Sequence, residues 1–97
     1  MVLKSEIIET LKNYLDPELG IDIWTLGFIR ELDFNETKQT LRLVMTLTSP
    51  LCPLGSVMIR ELDTKFRNLG VKDVAISLTF DPPWQPPAVV KEMLGMS

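Results

Sequence analysis

Between Leu3 and Leu15 the apolar residues Leu3, Ile7, Ile8, Leu11, Tyr14 and Leu15 recur at a spacing that gathers them on one stripe of an α-helix. Ser5 is the expected N-cap, with Glu6 and Glu9 near the positive end of the helix dipole. Asp16 and Pro17 close the segment, because proline pushes the residue before it out of the α region. The pattern predicts a first helix over residues 5–15, followed by a turn at Asp16-Pro17-Glu18-Leu19-Gly20.

The period then changes. Ile21 to Leu26 is a short apolar run ended by Gly27, with Trp24 expected in the core or at a subunit contact. From Phe28 to Phe34 the apolar Phe28, Leu32 and Phe34 oppose Glu31 and Asp33 at the two-residue period of a strand. Residues 35–40 are polar and loop-like, and Leu41, Leu43, Met45 and Leu47 then share a face opposite Arg42, Val44 and Thr46. Two such strands joined by a short polar loop predict an antiparallel hairpin. Beyond the loop at 48–53, Leu54, Val57, Met58, Leu62, Phe66 and Leu69 fall on one helical face, Pro53 fits the first turn and Gly70 the C-terminal cap. Val74, Ile76, Leu78 and Phe80 alternate with Ala75, Ser77 and Thr79 as a third strand. The Asp81-Pro82-Pro83-Trp84-Gln85-Pro86-Pro87 segment excludes helix and central strand, and a short helix over 88–94 ends at Gly95.

The order α-β-β-α-β-α places the chain in the α+β class. The economical packing is two layers, with the helices on one face of a three-stranded mixed sheet. The crossover through the second helix makes the second and third strands parallel. The other sheet face, carrying Glu31, Asp33, Arg42, Thr46, Ser77 and Thr79, is expected to be solvated or to meet a partner.

Composition narrows the chemistry. Ninety-seven residues suit one domain, 1–97, and 45% hydrophobic with 24% charged residues is an ordinary globular mix. Ten basic against thirteen acidic residues give a net charge of −3, the wrong sign for a nucleic-acid binder. The absence of His removes Ser/His and Cys/His catalysis and His-containing zinc sites within one chain. The solitary cysteine, Cys52, permits no intrachain disulfide and suits a reducing compartment. With no apolar run near the length of a membrane span and no signal-peptide pattern, a cytoplasmic protein without membrane partners is expected.

Three segments are candidates for function. The Cys52 loop joins a strand end to a helix start, where unpaired N–H groups and the dipole favour a thiolate. Such a thiolate is a soft metal ligand, with the hydroxyls of Thr48 and Ser49 nearby; the competing reading is a small buried hydrophobe. Asp16 and Glu18 are either turn formers or, if the turn reaches the Cys52 loop, metal ligands or proton acceptors. Asp81 and Trp84 in the proline-rich segment either strap the open edge of the core or form a docking surface, since Trp is a frequent interface anchor. No usual base accompanies Cys52, so an enzyme is not expected.

DPELG at 16–20, LGFI at 26–29, MTLTSPLCP at 45–53, LGV at 69–71 and LTFDPPW at 78–84, in this order, resemble the MIP-eighteen family. This is the metal–sulfur cluster assembly domain also found in SufT and PaaD proteins. The resemblance runs over about residues 3–95 and implies a role in iron–sulfur cluster assembly or in maturing recipient apoproteins, within multiprotein machinery. It also implies a fold like the C-terminal scaffold domain of NifU-like proteins. Carried over by position, the functional cluster falls on Asp16, Glu18, Leu19, Thr48, Ser49 and Cys52, with Cys52 the metal-binding candidate, and the DPELG turn is implied to meet the Cys52 loop. The chain departs from many relatives in having Leu51 where they carry glycine. Common clusters take about four thiolate ligands, so an iron–sulfur cluster or iron could be held only transiently, with ligands from a second copy in a homodimer, from small thiols or from a partner. A protein-docking adaptor with an incidental thiol is the alternative function.

Overall fold

The computed structural model describes residues 1–49 and 54–95. Along them run α1 (Lys4–Lys12), β1 (Ile29–Asn35), β2 (Thr40–Met45), α2 (Gly55–Leu69), β3 (Asp73–Leu78) and α3 (Ala88–Met93). The sheet order is β1-β2-β3, with β1 antiparallel and β2 parallel to β3, so the expected mixed sheet forms and β3 lies beside β2. Leu32 and Leu43 face each other across the hairpin, as do Phe34 and Leu41, while Val74 and Ile76 continue the same rows on β3. Ile7 and Leu11 of α1 and Met58, Leu62 and Phe66 of α2 complete a single buried cluster with these strands. Glu31, Asp33, Arg42, Ala75 and Ser77 on the opposite face are exposed.

Several local expectations give way to tertiary demands. The first helix ends at Lys12 rather than Leu15: the Asn13 side chain donates to the Glu9 carbonyl at 2.7 Å, and Leu15 is already extended in a bridge to Asp22. Leu15 is consequently exposed. Its N-cap is Leu3, not Ser5, and the Glu6 carboxylate accepts the Leu3 N–H at 3.1 Å. Thr46, expected on the solvated face, is fully buried, because the chain leaves the ladder after Met45 and the Thr46 N–H donates to the Phe28 carbonyl at 2.8 Å. Val57 and Leu69, at the margins of the α2 stripe, are exposed, as is Trp24. β1 starts at Ile29 and carries a bulge at Arg30, which puts Ile29 and Leu32 on the core side three residues apart.

One end of the sheet is held by a residue that periodicity does not mark. Gln39, at the hairpin tip with φ +56°, is 7% exposed. Its amide donates to the carbonyls of Val2 and Glu36 at 2.9 and 2.7 Å, and its Oε1 accepts the Val2 N–H at 3.0 Å. Its own carbonyl accepts from Lys72 at 2.9 Å, and Gly70, with φ +122°, abuts Val2. The N-terminal segment, the hairpin and the end of α2 therefore converge here.

Candidate functional site

The opposite end of the sheet collects most of the sequence motifs, while LGV at 69–71 lies at the Gln39 pole. Ile29, Met45 and Leu78 are register partners and form one row across the three strands. Because β1 runs against β2 and β3 runs with it, the segment before Ile29 and the segments after Met45 and Leu78 all leave from this row. These are LGFI, the Thr46–Ser49 stretch and the proline-rich strap. In parallel α/β arrangements, the carboxyl ends of the strands are where loops are free to meet a ligand. The start of α2 lies against the same row: a Cβ on Gly55 would stand 2.8 Å from Leu47 Cδ1 and 3.7 Å from Leu78 Cδ1.

The turn at 16–20 joins this end through the Ile23 segment, whose carbonyl accepts the Phe28 N–H at 3.1 Å. The turn closes on itself. Asp16 Oδ1 accepts the N–H groups of Glu18 and Leu19 at 2.8 and 2.9 Å, and the Asp16 carbonyl accepts the Gly20 N–H at 2.8 Å. Gly20 takes φ +68°, which an L side chain tolerates poorly. Asp16 is 8% exposed, Leu19 packs on the core and Glu18 is exposed. Within this turn Asp16 is thus an internal acceptor, and Glu18 is the carboxylate presented outward.

Tyr14, which the sequence assigned only to the helix stripe, proves to connect this turn to α2. Its hydroxyl donates to Glu61 Oε1 at 2.8 Å. Burial, the bond to Glu61 and the nearby charges of Glu61 and Asp16 push the phenol up to about 12, so it stays protonated and donating. Glu61 lies seven residues beyond Leu54, about 10 Å along the axis at 1.5 Å per residue. Thr48, exposed, and Ser49, half-buried, precede the start of the same helix. The turn is thereby tied to α2 across the helix's second turn, and Thr48 and Ser49 precede α2 in the chain. Cys52, the metal-binding candidate, and Leu51, with the implied meeting of turn and thiol, lie outside the described residues. Among the described residues, no three Asp or Glu side chains converge in a way that could hold a metal ion.

The strap is anchored inward. The Trp84 indole N–H donates to the Leu26 carbonyl at 2.7 Å, and its ring meets Phe28 edge-on at 5.6 Å. The Arg30 guanidinium, at the β1 bulge, donates to the Pro82 carbonyl at 2.7 Å. These contacts give Trp84 the strap geometry and leave Asp81 and Gln85 as the exposed polar groups of the segment. No helix among the described residues is long and apolar enough to cross a membrane.

Comparison with known proteins gives this arrangement a context. The family model described as iron–sulfur cluster assembly protein matches residues 4–78. The chain is 39% identical over 83 residues to the Fe-S protein maturation auxiliary factor YitW of Bacillus subtilis, covering 84% of this chain and 80% of the relative. It is 34% identical over 71 residues to the Fe-S protein maturation auxiliary factor SufT of Staphylococcus aureus, covering 72% of this chain and 80% of that one. Among solved structures, the conserved hypothetical protein TM0487 of Thermotoga maritima superposes with a TM-score of 0.80 at 32% identity, covering 98% of this chain and 96% of the other.

Proposed function

The chain belongs to the iron–sulfur cluster assembly protein family, and on that premise we propose that it is a cytoplasmic, non-enzymatic auxiliary factor that helps iron–sulfur clusters reach recipient apoproteins. The observation that carries this reading is the shared row Ile29–Met45–Leu78, from which the motif-bearing segments emerge together. A cluster or iron is cargo in this scheme. The Cys52 thiolate contributes one soft ligand. Because common clusters take about four thiolates, the others come from a second copy, a small thiol or a cysteine of the assembly machinery. Glu18 and the hydroxyls of Thr48 and Ser49 supply polar contacts at the rim, and Asp16 and Leu19 hold the turn that presents Glu18.

Anaerobic reconstitution of the wild type and of Cys52→Ser, with iron, sulfide and mass measured per chain and delivery to an apoprotein followed in parallel, tests the proposal. The wild-type monomer is expected to stay colourless while accelerating delivery, and Cys52→Ser to lose that acceleration. A strictly monomeric sample with near-stoichiometric iron and sulfide would contradict the shared-ligand scheme. Delivery unchanged in Cys52→Ser would favour the adaptor reading, in which the thiol is incidental.

A further inference from the structure

The segment from Tyr14 to Ile23 forms a small body closed by its own hydrogen bonds. The Ile23 N–H donates to the Tyr14 carbonyl at 3.0 Å and the Asp16 N–H to the Ile21 carbonyl at 2.9 Å, outside the turn bonds already described. Leu19, Ile21 and Ile23 seat this body on the core, but apolar contact is non-directional and fixes a position only loosely. Tyr14 adds a directional tie, since its hydroxyl reaches across to Glu61 on α2 at 2.8 Å. A phenylalanine would fill the same space without making that bond. Burial and the charges of Glu61 and Asp16 raise the Tyr14 phenol, so its proton is retained for the bond to Glu61.

We infer that Tyr14 and Glu61 are a positioning pair that fixes the Asp16–Gly20 turn relative to α2, and thereby sets the efficiency with which the motif-bearing end engages its cargo or recipient. This inference rests on the functional reading above. Neither side chain needs to touch the cargo; both act through the turn.

The chain contains one tyrosine, so absorbance titration reports Tyr14 alone. The wild-type midpoint is expected near 12, and Glu61→Gln should lower it toward 10.0 while keeping an acceptor for the hydroxyl. Cluster delivery to an apoprotein is then compared under conditions where circular dichroism shows every variant folded. Tyr14→Phe and Glu61→Ala should each slow delivery by about ten- to a hundredfold, the upper figure being the cost of a misplacement of about 1 Å remote from the reacting atoms. Glu61→Gln should restore it to within about twofold, because the amide oxygen still accepts the bond. A wild-type midpoint near 10.0 overturns the pair. Delivery by the wild type with unchanged rates in Tyr14→Phe and Glu61→Ala overturns the positioning role alone. A wild type that delivers nothing overturns the functional reading and this inference with it.

Discussion

Replacing Asp16 separates what the turn needs for its shape from what the site needs for its charge. Asp16 Oδ1 holds the N–H groups of Glu18 and Leu19 at 2.8 and 2.9 Å, the arrangement of a side-chain cap. Removing a cap of this kind costs about 0.5–2 kcal/mol. Two bonds are lost in Asp16→Ala, but Glu18 is exposed and its N–H can be rehydrated, so a loss of about 1–2 kcal/mol is expected. For a chain this short, each kcal/mol lowers Tm by roughly 4–8 °C. Asp16→Asn keeps an oxygen at the same place and should cost less than about 0.5 kcal/mol. Urea denaturation of the three proteins measures the stability differences, and delivery of a cluster to an apoprotein measures the functional ones. If the carboxylate charge matters to the site, Asp16→Asn is stable yet impaired; if only turn shape matters, it works like the wild type. Asp16→Ala within about 0.3 kcal/mol of the wild type would refute the cap argument altogether.

Three further outcomes follow from the packing and electrostatics. Trp84→Phe removes the indole N–H from the Leu26 carbonyl and should cost about 1 kcal/mol; the remaining emission, from exposed Trp24, should be red-shifted, and an unshifted spectrum would contradict the inward strap. Gly55→Ala places a methyl group 2.8 Å from Leu47 Cδ1, and because Leu47 is only 3% exposed and hemmed in by the core, the change should destabilise by about 1–3 kcal/mol in urea, an unchanged midpoint contradicting the close approach. The Tyr14 phenol, raised from 10.0 to about 12, binds its proton more tightly when folded. Its contribution is therefore complete below about pH 10 and lost as pH rises toward 12, so the stability difference between wild type and Tyr14→Phe should shrink across that window in pH-stepped urea titrations.

Much of the fold was legible because each element carries one dominant period. Leu41, Leu43 and Met45 alternate cleanly, and Met58, Leu62 and Phe66 recur every four residues, so the α-β-β-α-β-α order and the shared direction of β2 and β3 follow from pattern and connection rules, whereas the pairing of β3 beside β2 is set by the tertiary structure. The errors fall where a residue answers to something distant. Leu15 obeys the helix period but is pulled into a bridge with Asp22, and Thr46 obeys the strand period but donates its backbone N–H to Phe28. Gln39 carries no periodic signal, and its role exists only once Val2 and Lys72 arrive beside it. The site was legible in part for the same reason. Asp, Pro and Gly announce a turn at 16–20, and Asp16 makes it. Nothing local announces that Tyr14 will reach Glu61 forty-seven positions away.

The convergence of Val2, the hairpin tip and the α2 terminus at one pole also has a practical side. Thr37 stands there, exposed, in the loop before Thr40, whose Cα is separated from Met45 in the motif-bearing row by about 17 Å, five steps of roughly 3.3 Å along β2. A dye or a bead grafted at Thr37 would ride on the anchored pole, leaving the working pole unobstructed for single-molecule or surface-capture experiments.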